Sequence, residues 1–227
     1  MPYFYHSEIS ENNSIILSRE ESTHLSKAFR IQIGDEIELL DGQGLICKAK
    51  VSDNNPKKVC CTISERKISE EPALKIHIYL APPRHNIMSP LIKQCVELGV
   101  WSINLIDCEF SVSKPKEKKG AFENEIITGA KQSGNPHFPR VNGLTKFADA
   151  LGACPFPKYY GAVPAEAIPS DSIEKSGDIS LWIGPEGGFS SNELDALKQA
   201  NAQGITVGNW ILRVETALVS LLGILNS

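Results

Sequence analysis

The segment that most narrows the possible folds is residues 181–193, with the sequence LWIGPEGGFSSNE. An apolar run typical of a buried strand leads into a loop in which Gly187 and Gly188 permit positive φ and a close approach of ligand to backbone. Ser190 and Glu193 have the spacing of a capping box, so a helix is predicted to begin here. This order is typical of an open α/β sheet, which binds ligands at the carboxyl ends of its strands. A strand-to-helix turn without a ligand is the alternative.

The chain after residue 72 alternates between strand-like and helix-like patterns. Such alternation predicts a mostly parallel sheet with helices on both faces. One helix is expected to begin with Ser89 as its N-cap and Pro90 as its first residue, and to end at Gly99. The predicted strands are 75–80, 103–106, 159–163, 179–183 and 205–207, and the other predicted helices are 124–133, 193–200 and 213–225.

Residues 1–71 have a different pattern, with short strands at close spacing that predict a small β-barrel. Residues 36–40 and 45–51 flank a turn that contains Gly42 and Gly44, which indicates a hairpin. Further strands are predicted at 15–17 and 58–68, with one helical turn at 24–29. Glu70, Glu71 and Pro72 mark the boundary, so we expect a β domain at 1–71 and an α/β domain at 72–227.

The composition limits which partners the protein is expected to bind and in which cell compartment it is expected to act. The net charge is −4, whereas a nucleic-acid-binding protein is usually basic, so any RNA would have to bind local patches. No apolar run approaches the roughly 18 residues of a membrane span, and the first ten residues do not read as a signal peptide, so the cytosol is the expected compartment. The six cysteines form no C-x-x-C pair and are expected to be free thiols, without a metal site.

A second motif lies at residues 207–217, VGNWILRVETA. Ile211 and Leu212 are apolar residues in a predicted loop, which suits the walls of a pocket for a flat aromatic group. Arg213 and Glu215 follow at the start of the last helix. These two charges could instead form a surface ion pair of little energetic value.

Together the two motifs resemble those of the 16S rRNA uridine-N3 methyltransferases of the SPOUT class. The resemblance rests on GPEGGFS followed by Glu193, and on VGNWILRVETA near the C-terminus. It extends to HLSKAFR at 24–30, KQCVELGV at 93–100 and KQS at 131–133. Two positions depart from the family: residues 134–136 replace a basic residue, and Arg84 stands near Pro83 where the family has lysine.

The resemblance implies a PUA-like N-terminal β-barrel and a SPOUT α/β domain with a deep trefoil knot. Its cofactor would be S-adenosylmethionine, its partner 16S rRNA in the small subunit, and its active form a homodimer, without metal or membrane. The cofactor would contact Val163, Ile183, Gly184, Glu186, Gly187, Gly188, Val207, Gly208, Ile211, Leu212, Arg213, Thr216 and Ala217. The RNA would contact His24, Lys27, Arg30, Arg84, Lys93, Lys131 and Arg213.

The implied reaction is methylation of uracil N3, which is a poor nucleophile while it carries its proton. Arg213 is the candidate cation for the negative charge that develops on O2 or O4, and Glu186 and Glu215 are candidates for moving the proton. Two alternatives stay open: a SPOUT enzyme that methylates the ribose 2′-oxygen, and a non-catalytic rRNA-binding assembly protein. A stripe on the last helix predicts either the homodimer interface or packing on the chain's own sheet: Val214, Ala217, Leu218, Leu221, Leu222 and Leu225.

Overall fold

The computed structural model describes residues 3–113, 120, 122–163, 167–168, 173 and 175–226, with the side chain of His85 left out. The chain divides into two compact units. The first contains Met1–Glu71 and Ile127–Phe138, and the second contains Pro72–Ile126 and Pro139–Ser227. Residues 127–138, which we expected within the second domain, thus belong to the first unit.

The first unit is built on a five-stranded sheet with the order β1-β3-β4-β5-β2. The predicted hairpin is confirmed, since β3 and β4 pair antiparallel with Glu36 opposite Lys50. Parallel pairing joins only β1 and β3, and the other neighbours are antiparallel. The strands are β1 (Tyr3–Tyr5), β2 (Ser14–Ile16), β3 (Glu36–Leu40), β4 (Leu45–Asp53) and β5 (Cys60–Ile68).

The connection between β2 and β3 is more helical than predicted. Helix α1 (Arg19–His24) begins at Ser18, whose hydroxyl accepts a hydrogen bond from the Glu21 amide at 3.1 Å. A π-helical turn, Leu25–Phe29, continues it, and Arg30 ends it in the left-handed region with φ 51°. The single turn expected at 24–29 therefore covers only the second half of this segment.

Backbone hydrogen bonds and close contacts explain why residues 127–138 belong to the first unit. The Phe138 amide donates to the Gly42 carbonyl at 3.0 Å, and the Gly44 amide donates to the Pro136 carbonyl at 2.9 Å. A Cβ added to Gly134 would lie 2.6 Å from the Tyr3 ring. Glycine is therefore needed where this segment meets β1.

The second unit contains the parallel sheet that the alternating pattern predicts. Its six strands have the order β11-β9-β10-β6-β7-β8, and every neighbouring pair is parallel. The strands are β6 (Leu74–Leu80), β7 (Ser102–Asp107), β8 (Arg140–Lys146), β9 (Lys158–Gly161), β10 (Gly177–Ile183) and β11 (Gln203–Ile205). The helices that lie wholly in this unit are α2 (His85–Glu97), α4 (Phe147–Ala153), α5 (Ser191–Gln199) and α6 (Val214–Leu225), and α3 (Glu123–Ser133) begins in it and belongs to the first unit from residue 127.

The predicted start of α2 is wrong. The helix begins at His85, with Arg84 as N-cap, and Pro90 lies inside it. The Met88 amide already donates to the Arg84 carbonyl at 3.1 Å, so the helix is formed before Pro90. The proline removes one backbone hydrogen bond, the one that residue 90 would donate to the Asn86 carbonyl. Ser89 is not the cap, and its hydroxyl donates to Glu125 Oε1 at 3.0 Å.

The apolar stripe of α6 is buried within its own chain. Leu218 and Leu222 are fully buried, and Leu221, Leu225 and Val214 are at most 7% exposed. The helix contacts α2 and β9. Packing against α2 and β9 therefore covers most of the stripe, whereas Ala217 is only partly buried. Within the described part of the chain, no helix is long and apolar enough to cross a membrane.

The six cysteines differ in exposure, which predicts their reactivity. Cys60 is partly exposed and the other five are buried. Burial raises the pKa of Cys61 and of Cys95 to about 12, so both stay protonated at pH 8, and the thiolate is the form that reacts. We expect one fast thiol per chain with a thiol reagent at pH 8 and six in denaturant. Fast reaction of Cys95 in the native protein, detected by peptide mapping, would contradict this packing.

Candidate functional site

A cavity of about 910 Å³ opens at the carboxyl ends of the strands of the parallel sheet. Three loops form most of its wall, and they follow β9, β10 and β11, which are neighbours in the sheet. The described residues that line it are Arg84, Ile87, Val112, Tyr160, Gly161, Ala162, Val163, Ile183, Gly184, Pro185, Glu186, Gly187, Gly188, Phe189, Leu194, Ile205, Thr206, Val207, Trp210, Ile211, Leu212, Arg213, Val214, Glu215, Ala217 and Leu221.

The glycines of the loop after β10 keep backbone close to the cavity. Gly188 has φ +77°, and a Cβ added there would meet no protein atom within 4 Å. A Cβ on Gly184 would lie 3.2 Å from the Phe189 amide nitrogen, and a Cβ on Gly187 would lie 3.3 Å from Phe110 Cβ. Side chains at 184 and 187 are therefore crowded by protein, whereas one at 188 would project into open space at the cavity wall.

A buried carboxylate holds this loop to its neighbours. The predicted capping box of α5 is confirmed: Ser190 Oγ accepts from the Glu193 amide at 3.3 Å, and Glu193 Oε2 accepts from the Ser190 amide at 2.8 Å. Glu193 Oε1 also accepts from the Glu109 amide at 2.9 Å, in the loop that follows β7. Glu193 is 8% exposed. Burial, with a smaller contribution from Glu193, raises the pKa of Cys108 beside it.

We expect Glu193→Ala to lower the free energy of unfolding by about 3 kcal/mol, because two backbone amides lose a charged acceptor in a buried place. The matched control is Asp195→Ala on the exposed side of the same helix, where the change should stay within about 0.5 kcal/mol. Urea denaturation of the two variants measures the difference. Equal midpoints for both variants would contradict the role given to Glu193.

The loop after β11 places apolar and charged side chains together at the cavity. Trp210 is 80% exposed and Ile211 is 85% exposed, although both line it. Arg213 is the N-cap residue of α6, and its side chain makes no capping hydrogen bond. Among the described residues, Arg213 and Glu215 do not form the ion pair that was the alternative interpretation of this motif.

The cavity brings together most of the predicted cofactor-binding residues and all three predicted catalytic residues. Gly208 and Thr216 alone among the predicted cofactor residues are absent from its described wall. Arg84, predicted as an RNA contact, lies in this wall beside the predicted catalytic set. Tyr160, Gly161 and Leu221 also line it and were not predicted. No local motif indicates them, because their place in the wall depends on β9 pairing with β10 and on α6 packing against β9.

The other predicted RNA-binding residues lie elsewhere on their units. His24, Lys27 and Arg30 are exposed on the helical segment of the first unit. Lys131 is held by Glu21, with Nζ 2.6 Å from Oε1, and its side chain is 21% exposed. Lys93 is half-buried on α2. Lys131 therefore has a structural partner, whereas Lys27 and Arg30 form no ion pair among the described residues.

The fold and the cavity define a class, an α/β protein with a ligand cavity at the carboxyl edge of a parallel sheet and a separate small β unit. Residues 69–226 match the family model described as RNA methyltransferase domain, so the chain belongs to that family of enzymes. Residues 17–64 match the RNA methyltransferase PUA domain. The predicted fold class, a PUA-like β unit with a SPOUT α/β domain, is confirmed.

Similar proteins cover nearly the whole chain. Ribosomal RNA small subunit methyltransferase E 2 of Borreliella burgdorferi is 28% identical over 203 residues, which are 86% of this chain and 84% of that protein. Ribosomal RNA small subunit methyltransferase E of Aquifex aeolicus is 26% identical over 98% of both chains. The crystal structure of the Neisseria gonorrhoeae enzyme of that name, bound to S-adenosyl methionine, is 26% identical with a TM-score of 0.83, covering 98% of this chain and 95% of that one.

Proposed function

We propose that this chain transfers a methyl group from S-adenosylmethionine to N3 of a uridine in 16S rRNA of the small ribosomal subunit. The observation that carries the proposal is the cavity lined by both the glycine-rich loop and the loop with the sequence NWILR. Those two loops hold the motifs by which the chain resembles uridine-N3 methyltransferases. The names of the relatives and the cofactor bound by the Neisseria protein support it.

The cavity has the chemistry that S-adenosylmethionine needs. Its glycine loop offers backbone at Gly184 and Gly188, where a polar edge of the adenine can bond without interference from a side chain. Ile183, Leu212 and Ala217 offer apolar surface to the flat ring. The cofactor supplies an electrophilic methyl group on a sulfonium. The chain's own part is to bind it, orient it and keep one face of the cavity open to the base.

The charged residues of the cavity wall are suited to take the proton from uracil N3 and to stabilise the negative charge that this leaves on the base. The N3 proton must leave before the nitrogen can attack, and the Glu186 and Glu215 carboxylates are the candidate acceptors. Loss of the proton spreads negative charge onto O2 and O4, which the Arg213 guanidinium would stabilise. Arg84 lies in the same wall and could hold a neighbouring phosphate. Holding the base in line with the methyl group would lower the barrier further.

We propose that both units contribute to RNA binding, with residues 1–71 as the RNA-binding domain and 72–227 as the catalytic domain. The exposed cations His24, Lys27 and Arg30 support a role for the first unit. Each lost phosphate contact should reduce the salt slope of binding by about one unit. The enzyme would act in the cytosol, and its knotted loops would be those after β9, β10 and β11.

The proposed active form is a homodimer. Most of the α6 stripe is covered within the chain itself, so the support comes from Trp210 and Ile211, two large apolar side chains left in water at the cavity mouth. A second copy could cover both and complete the site. Analytical ultracentrifugation of the wild-type chain at micromolar concentration should give a dimer. A fully active monomer would overturn this part of the proposal.

Mass spectrometry of 16S rRNA tests the function directly. RNA from cells that lack the protein should miss one methyl group on a uridine base, and the gene for this chain should restore it. Restoration by the wild type but not by Arg213→Ala would support the role of Arg213 in methyl transfer. A methyl group found on ribose, or an unchanged 16S rRNA, would contradict the proposed function.

A further inference from the structure

A half-exposed phenylalanine lies among cations on the surface of the first unit. Phe29 is the last residue of the π-helical turn and is 47% exposed. His24 and Lys27 are exposed on the same helical segment, and Arg30 follows directly. We call these four residues the Phe29 patch. Isolated exposed apolar residues are ordinary, so exposure alone indicates nothing.

The ring of Phe29 is held in place by two other rings. Its centroid lies 6.1 Å from that of Phe4, at an interplanar angle of 78°. The His24 ring meets it at 5.5 Å and 65°. Phe4 is fully buried in the core of the unit, so the cluster has a rigid base. A ring fixed in this way is a preorganised surface, which costs little entropy when a ligand stacks on it.

The cations of the Phe29 patch are available to bind a phosphate, whereas the nearby carboxylate of Glu21 is already paired with Lys131. Lys27 and Arg30 have no ion pair among the described residues. Glu21, on the same segment, is occupied by Lys131 through both carboxylate oxygens, at 2.6 and 2.8 Å. Glu20 remains exposed on α1, in an open concavity that it shares with Arg19, Thr23, His24 and Lys27. Positive charge therefore exceeds negative charge around this concavity.

The backbone of the patch is unusual at two successive points. The segment changes from α-helix to a π-turn at Leu25, and π-turns are often found at functional sites. Arg30 then adopts φ 51°, a conformation that few residues other than glycine tolerate. The carbonyl of Arg30 accepts from Gln32 Nε2 at 2.9 Å, which helps hold the turn. Together these features set the position of Phe29 and Arg30.

We propose that Phe29 is a stacking platform for an unpaired RNA base, with Lys27 and Arg30 holding the phosphates beside it. This rests on the proposed function and deepens it, because it names the class of RNA that the first unit binds. Cations alone would hold any RNA by its phosphates. An exposed aromatic ring adds affinity only where a base offers its face, and bases in a paired helix are already stacked on one another. The first unit therefore selects loop or single-stranded RNA.

Two labelled RNA duplexes of equal length and charge test this, one fully paired and one with mismatches at its central positions. Fluorescence anisotropy with the full-length chain should show tighter binding to the mismatched duplex. Phe29→Ala should weaken that binding about 5- to 150-fold, the range that corresponds to the loss of one base stack, and leave the paired duplex unchanged. Phe29→Tyr should keep the preference, and Phe29→Leu, which keeps apolar bulk against Phe4, should lose it.

Lys27→Ala is the matched control, since it should weaken both duplexes equally and lower the salt slope by about one unit. Equal binding of the two duplexes by the wild type, or equal losses with Phe29→Ala, would overturn the platform. If the Phe29→Ala variant does not fold, the test depends on Phe29→Leu alone, and a Phe29→Leu variant that keeps the preference for the mismatched duplex would overturn the proposal. Dimer dissociation by Phe29→Ala with RNA preference retained would mean that the patch binds protein, and would also overturn it. Methyl transfer to 16S rRNA is measured in parallel, so that its absence counts against the proposed function and not against stacking.

Discussion

Gly188→Val is expected to abolish binding of S-adenosylmethionine, with at least a hundred-fold loss of affinity in calorimetry. An added Cβ at this position meets no protein atom within 4 Å, so the valine side chain would occupy space at the wall of the cavity. The same space is needed by a ligand that approaches the backbone of the loop. A steric block of this kind removes many contacts at once, which explains the large expected effect.

The positive φ of Gly188 adds strain to any substitution there, and a control must carry the same strain. Gly177 provides it, with φ +75° and likewise no atom within 4 Å of an added Cβ. It lies at the amino end of β10, and the cavity lies at the carboxyl end. Gly177→Val should lose a similar amount of stability and keep its affinity. Unchanged affinity in Gly188→Val would remove the glycine loop from the cofactor site.

Leu221→Glu is expected to unfold the second unit. Leu221 is 2% exposed and contributes to both the α6 stripe and the cavity wall. An unpaired buried carboxylate costs several kcal/mol, to which the lost burial of leucine adds about 2–5 kcal/mol. The sum is comparable to the whole stability of an ordinary domain, about 5–15 kcal/mol. Circular dichroism of the variant at 25 °C should show a large loss of the signal of the folded state, and the cooperative unfolding transition of this unit should be missing.

Thr216→Glu is the control for Leu221→Glu, since it introduces the same charge at an exposed position on the same helix. We expect its unfolding free energy to stay within about 0.5 kcal/mol of the wild type. A Leu221→Glu chain that stays folded and becomes monomeric would show that the stripe forms a subunit interface after all.

The site was predictable where its residues are adjacent in sequence. The glycine loop, the capping box at Ser190 and Glu193, and the loop before α6 could all be identified from short motifs. Tyr160, Gly161 and Leu221 could not, since their place in the wall follows from strand order. Strand order depends on contacts between distant parts of the chain, which local pattern does not encode.

The limits of local sequence patterns also account for the errors in the predicted helices and strands. Pro90 suggested a helix start because proline is common at the first helical position, but here it is the sixth residue of a longer helix, which forms despite the one backbone hydrogen bond that the proline removes. Strand β8 was missed because it lies at the sheet edge and none of its residues is buried, so it lacks an apolar signal. Helix α4 was missed because its seven residues give too short a window for a helical period.

The assignment of residues 127–138 to the first unit has a consequence for synthesis on the ribosome. The first unit is incomplete until residue 138 has emerged from the ribosome. The ribosome must therefore translate 67 more residues after Glu71 before this unit has all of its chain. Because domains generally fold as units during translation, the amino-terminal β unit must wait for a stretch of its neighbour to be made.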